Sequence, residues 1–129
     1  MNAIPYLFFN GQCEDAAQFY ATALGGEVDI IYRQGTLVPS REGPYDIQHV
    51  DVIVEGKVML QITNIAVKTT QTGFAISLPV PSIAVATKLF DALAIGGTIT
   101  IPFAPSYYSP DFGMLVDQFG VSWVITAVS

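Results

Sequence analysis

The sequence predicts an α+β fold made of two copies of a β-α-β-β-β module. Three observations carry this. A long stretch occurs twice, a glycine pair ends a helical pattern in each half, and strand-like alternation follows each pair. FYATALGGEVDIIY (Phe19–Tyr32) is echoed by LFDALAIGGTITIPF (Leu89–Phe103), and VMLQIT (Val58–Thr63) by VSWVIT (Val121–Thr126). Self-similarity of this kind is the sign of a repeated structural unit. The spacing between the echoes is longer in the first half, and the surplus falls on QGTLVPSREGPYD (Gln34–Asp46), which reads as a loop. The modules run from about 1–65 and 72–129 within a single domain, a chain length typical of one domain.

Each module opens with a short apolar strand, Ile4–Phe9 and Gly73–Pro79. The first helix, Glu14–Leu24, places Ala16, Tyr20, Ala23 and Leu24 on one stripe and carries Glu14 and Asp15 at its positive N-terminal end. The second, Ile83–Ala94, has Ser82 as N-cap and Ala86, Leu89, Phe90 and Leu93 at helical spacing. Gly25-Gly26 and Gly96-Gly97 end the helices, because glycine adopts the left-handed C-terminal conformation without a Cβ clash. Three strands then follow in each half: Val28–Arg33, Ile47–Glu55 and Lys57–Thr63, then Thr98–Phe103, Tyr107–Val116 and Val121–Ala127. Glu55-Gly56-Lys57 and Gln118-Phe119-Gly120 read as hairpin turns.

Composition narrows the function classes. Half the residues (51%) are hydrophobic and 12% charged, an apolar balance that predicts surface buried against a second copy or lining an apolar pocket. No apolar run reaches the ~20 residues that cross a bilayer, so no membrane association is expected. Five Lys+Arg against eleven Asp+Glu, a net charge of -6, lack the basic footprint of nucleic-acid binding. Acidity serves solubility and also permits a cationic ligand. The opening MNAIPYLFFN has neither a basic n-region nor a small-residue cleavage site, and a lone Cys13 makes no internal disulfide; both predict a cytoplasmic protein.

Three stretches, PYLFFNGQCEDAAQFYATALGGEV, HVDVIVEGKVMLQIT and FGMLVDQFGVSWVI, together resemble the PhnB-like group of the vicinal oxygen chelate (glyoxalase/bleomycin-resistance) superfamily. The resemblance implies curved mixed sheets that cup a pocket on one face and hold their helices outside, and a homodimer. The methyltransferase label often attached to this group finds no glycine-rich nucleotide loop between a strand and a helix. The superfamily's metal enzymes use His and Glu from four symmetric positions, which the resemblance maps to Pro5, Gln61, Ala75 and Val124. Only Gln61 offers an oxygen there, where a divalent ion needs several imidazole or carboxylate ligands. No metal and no other cofactor is therefore expected.

Strand alternation sorts the faces. Val50, Val52 and Val54, and Val58, Leu60 and Ile62, form aliphatic faces for the first helix. His49, Asp51 and Ile53, and Met59, Gln61 and Thr63, line the opposite, cup face. The repeat places Phe112, Met114, Val116, Ser122 and Val124 on the second cup face and Trp123 in the core. By analogy with the family, Pro5, Leu7 and Phe9, and Ala75, Ser77 and Pro79, join the cups. His49, the one imidazole, reads either as a base or hydrogen-bonding group toward a ligand, or as a structural histidine beside Asp51. Cys13 at a helix start reads as an ordinary entry residue. Tyr107 and Tyr108, with Phe112 and Met114, suit either a planar ligand or packing. Arg41 and Tyr45 fall in the long loop. The dispersed cations make no phosphate or phosphonate clamp.

The expected function is a metal-independent small-molecule-binding protein that sequesters an apolar or aromatic, neutral to cationic ligand. His49, Asp51, Met59, Gln61, Tyr108, Phe112 and Met114 are its candidate binding residues. A metal-dependent glyoxalase- or dioxygenase-type enzyme and a catalytically silent interaction module stand as alternatives, since a fold does not fix a function.

Overall fold

The computed structural model describes residues 1–39, 45–65, 68–104 and 111–128. They fall into two compact units, Met1–Thr69 and Thr70–Ser129, each with its own core. The first contains β1 (Tyr6–Phe9), α1 (Cys13–Leu24), β2 (Glu27–Val38), β3 (Tyr45–Val54) and β4 (Lys57–Asn64). The second contains β5 (Ile76–Val80), α2 (Ile83–Ala94), β6 (Thr98–Ala104), β7 (Asp111–Val116) and β8 (Ser122–Ala127). The strand orders, β1-β4-β3-β2 and β5-β8-β7-β6, are the same topology twice. In each sheet the first strand runs parallel to the last, and the other pairs are antiparallel. The predicted α+β class and β-α-β-β-β order are those observed.

Each helix covers one face of its own sheet. In the first unit Cys13, Ala16, Ala17, Tyr20 and Ala21 of α1 are buried with Leu7, Phe9, Val50, Val52, Leu60 and Ile62. These sheet residues share a face by cross-strand register, Leu7 beside Ile62 and Ile62 opposite Val50. In the second unit Ala86, Phe90 and Leu93 of α2 are buried with Leu115, Trp123 and Ile125. Trp123, predicted as core, is fully buried. Its Nε1–H donates to Asp117 Oδ2 at 2.9 Å, so the indole meets no unpaired polar cost. The other Asp117 oxygen accepts from Phe119 N–H and Val121 N–H and fixes the β7–β8 turn.

The long hairpin of the first unit differs from expectation. The residues read as a loop, Gln34–Asp46, begin as a continuation of β2, with Thr36, Leu37 and Val38 paired to Ile47, Asp46 and Tyr45. Gly35 has φ +92° and lies where the register shifts between Tyr32 and Thr36. A glycine that reads as loop punctuation is here a β-bulge within a strand. At the other boundaries β1 begins at Tyr6 rather than Ile4, and β5 at Ile76 rather than Gly73. In the expected strand Tyr107–Val116, the segment before Asp111 lies outside the described residues. No helix among the described residues is long and apolar enough to cross a membrane.

The two glycines of each pair act differently. Gly25 and Gly96 have φ +72°, the left-handed conformation expected at a helix end. Gly26 and Gly97 do not. A Cβ on Gly26 would lie 2.2 Å from the Ile53 carbonyl oxygen, and one on Gly97 2.3 Å from that of Val116. Here the strand backbone passes so close that only hydrogen fits. Gly25→Ala, with open space around its Cβ position, should cost about 1 kcal/mol for the left-handed backbone alone. Gly26→Ala must displace strand β3 and should cost about 3 kcal/mol. Urea unfolding of the two variants checks this order.

Candidate functional site

The face of the first sheet turned away from α1 carries a connected polar chain. His49 and Asp51 leave β3 on the same side, and His49 Nε2 lies 2.7 Å from Asp51 Oδ1. Gln61 of β4, the cross-strand partner of Asp51, reaches the same oxygen with its amide Nε2 at 3.4 Å. The other imidazole nitrogen, Nδ1, lies 2.8 Å from the hydroxyl of Tyr6 on β1. An ionised carboxylate only accepts, so Asp51 assigns the proton of a neutral His49 to Nε2 and leaves Nδ1 to accept from Tyr6 O–H. The result is a phenol, an imidazole and a carboxylate in series.

Strand β1 corrects one expectation. Pro5, Leu7 and Phe9 were expected on this open face, yet Leu7 and Phe9 are 2% exposed on the helix side. The register explains it. Tyr6 pairs with Gln61 and Phe8 with Thr63, so Tyr6 and Phe8 take the open face and their neighbours the core. The rings of Tyr6 and Phe8 stack at 5.2 Å, and His49 meets the edge of Tyr6 at 5.3 Å. Burial pushes the Tyr6 phenol above its ordinary 10.0, opposed by a hydrogen bond with Thr63 and reinforced by Cys13 and Asp51. Tyr6 is the residue that sequence reasoning missed. PYLFF is apolar throughout, and only the pairing with Gln61 reveals which side faces out.

The other predicted residues fall as follows. Met59 is half-buried beside the bulge where β4 slips against Val52 and Ile53. Glu27, Asp29 and Tyr32 of β2, partners of Ile53, Asp51 and His49, extend the same face. In the second sheet, Phe112 pairs with Thr126 and Met114 with Val124 on the face away from α2, as expected. Ser77 and Pro79 share that face, whereas Ala75 precedes β5 and belongs to no strand. The structure thus brings His49, Asp51, Gln61 and Met59 together on one sheet and Phe112 with Met114 on the other. Arg41, Tyr107 and Tyr108 lie outside the described residues.

A second polar cluster lies on the helix side. Asn64 at the end of β4 accepts from the N–H groups of Gly11 and Cys13 at 3.0 Å each. Its amide donates to Gln48 Oε1 at 2.6 Å, and Gln48 donates to Glu14 at 2.8 Å. Gln12, the residue in the N-cap position, makes no side-chain cap, so Asn64 performs that task from another strand. This cluster is structural. Cys13 beneath it is fully buried, and its thiol donates to the Ile62 carbonyl at 3.4 Å.

Of the four positions to which the resemblance maps the superfamily's metal ligands, Gln61 pairs in register with Tyr6, the neighbour of Pro5, and Val124 with Ser77, two residues beyond Ala75. Among Pro5, Gln61, Ala75 and Val124 the one side-chain oxygen is the neutral amide of Gln61, a weak donor for a divalent ion. Among the described residues no group of three or more His, Cys, Asp or Glu is placed to hold one.

Residues 1–126 match the family model described as 3-demethylubiquinone-9 3-methyltransferase. The chain belongs to this PhnB-like family. Among relatives, Protein YjdN of Escherichia coli (strain K12) is 28% identical over 96% of this chain and 93% of its own. The structure of PA1353 from Pseudomonas aeruginosa is 32% identical, with a TM-score of 0.83 over 99% of this chain and 98% of that one. A glyoxylase/bleomycin resistance protein/dioxygenase domain from Frankia sp. EAN1pec shares the fold at a TM-score of 0.71 and 14% identity, over 100% and 98% of the two chains. The PhnB-like chain therefore has the glyoxalase/bleomycin-resistance architecture. Among the described residues both sheets are mixed, and neither is a doubly wound parallel sheet of the nucleotide-binding kind.

Burial pushes the Cys13 thiol up to about 12, with the neighbouring Glu14 carboxylate adding to the effect. Native protein should resist thiol alkylation at neutral pH, with modification tracking global unfolding. The stability consequence has a definite sign. Below the ordinary thiol value of 9.0 both states keep the proton and nothing is lost. Between 9.0 and about 12 the unfolded thiol ionises while the folded one does not, so stability falls as pH rises. Cys13→Ala should flatten that slope in urea titrations at graded pH.

Proposed function

We propose that this PhnB-like protein binds a small organic ligand on the open face of its first sheet, without a metal ion. The observation that carries the reading is the Tyr6–His49–Asp51–Gln61 chain, oriented end to end and bordered by exposed aromatic rings. Tyr6, Phe8 and Tyr32 are each more than 40% exposed, and exposed rings beside fixed polar groups suit a ligand with both apolar and hydrogen-bonding parts. Glu27, Asp29 and Asp51 place three carboxylates on this face. Aromatic surface with carboxylates favours a neutral or cationic ligand over an anionic one. Phe112 and Met114 form an apolar patch of their own on the second sheet. The donor set at the four symmetric positions supports metal independence, and sequestration is the mode that needs no reaction.

The protein acts as a homodimer in the cytoplasm in this reading. Exposed apolar residues such as Ile95, Ile99 and Ile101 at 64%, 50% and 41% support a second copy as their cover. Sedimentation of the purified chain should give twice the monomer mass; a monomer at all concentrations overturns that part.

Two measurements on protein purified without chelator test the site. Native mass spectrometry should show an organic mass retained by the wild type and reduced in Asp51→Ala. Elemental analysis should find metal well below one ion per chain, and zinc, nickel and manganese should leave the thermal midpoint unmoved. One tightly bound ion per chain, with a saturating thermal shift, overturns the metal-free reading in favour of a metalloenzyme.

A further inference from the structure

The polar chain on the first sheet has the order of a nucleophilic triad, with a phenol in the place of the usual alcohol. We propose that Tyr6 is an activated nucleophile for organic electrophiles carrying an acyl or sulfonyl centre. His49 is the base that takes its proton, and Asp51 is the group that orients His49. The proposal rests on the reading of this face as a small-molecule site and adds chemistry to it.

Geometry supports each role. A nucleophile and its base must lie within hydrogen-bond reach, and a third group must hold the base in the productive tautomer. Tyr6 Oη is 2.8 Å from His49 Nδ1, and His49 Nε2 is 2.7 Å from Asp51 Oδ1. Asp51 is 9% exposed and is further held by Gln61, so its orientation is imposed by the sheet. Tyr6, by contrast, is 42% exposed as a residue, so its side chain is the part of the chain that borders solvent, with the hydroxyl itself held against His49. A phenol held in its protonated form by burial is a weak nucleophile alone and gains most from a base already in contact.

The step balances with the groups present. The Tyr6 oxygen attacks the electrophilic carbon or sulfur. The new O–C or O–S bond forms as the bond to the leaving group breaks, and the electron pair of that bond departs with the leaving group. The phenolic proton passes to His49 Nδ1 and from there to the leaving group. While it resides on the imidazole, the positive charge faces the Asp51 carboxylate. No oxidant, reductant or metal takes part.

The molecule contains its own control. Tyr32 is also 42% exposed and sits on the same face, as the cross-strand partner of His49, yet it has no described base at hydrogen-bond distance. The intact chain is treated with an aryl sulfonyl fluoride at neutral pH, and the modified tyrosines are located and timed by peptide mass mapping. Tyr6 should react at least about tenfold faster than Tyr32, a conservative figure for a positioned base. His49→Gln and, independently, Asp51→Asn should lower the Tyr6 rate to that of Tyr32 while leaving the Tyr32 rate unchanged, which also reports an intact fold. Equal rates in the wild type, or a Tyr6 preference that survives both substitutions, overturns the proposal. A retained ligand together with equal tyrosine rates leaves a binding face without this chemistry, so the two readings fail separately.

Discussion

The open face of the first sheet depends on the parallel register of β1 against β4. Side chains alternate along a strand, so a slip of one residue exchanges the core set for the surface set. The register is held at both ends. Gln61 N–H donates to the Pro5 carbonyl at 3.0 Å, and Ile65 N–H to that of Phe9 at 2.7 Å. Just beyond the second of these, Asn64 binds the first turn of α1 and stops the chain from sliding. With β1 fixed this way, Leu7 and Phe9 enter the core and the Tyr6 hydroxyl meets His49. The polar chain is thus a product of the same bonds that seat the helix.

The two halves share a topology but distribute their chemistry unequally. The first sheet offers a phenol, an imidazole, a carboxylate and an amide on its free face, whereas the matching strands of the second offer Phe112, Met114, Ser77 and Val124. Trp123 and Asp117 give the second half a polar contact of its own, yet it serves the β7–β8 turn and lies in the core. Duplication supplies the scaffold, and the side chains on the free faces separate a polar half from an apolar one.

Much of this was legible from the chain. The repeat gave the modules, and the α2 boundaries with Ser82 as cap follow from standard helix signals. Alternation alone placed His49, Asp51 and Gln61 on one side and Trp123 on the other. Two features were not legible, for different reasons. Gly35 carries the composition of a turn while occupying a bulge, so the long hairpin was read as too short in strand. The face of β1 was ambiguous because Tyr6, Leu7, Phe8 and Phe9 are all large and partly apolar. A strand of such residues shows no period, and only its partner tells which side is inside. Tyr6 was therefore invisible as a candidate site residue, although the candidate carboxylate and imidazole it joins were not.

The contrast between the two helix starts bears on the order in which the chain folds. Ser82 caps α2 through Val85, three residues away, so that turn closes from local sequence alone. The start of α1 takes its cap from Asn64, 51 residues downstream of Cys13. Contacts at such separation carry a loop-closure cost that must be met before they form. The side-chain cap of α1 therefore requires β4 to be in place, whereas that of α2 lies within its own first turn. The two modules, alike once folded, differ in the sequence separation over which their helix starts are capped.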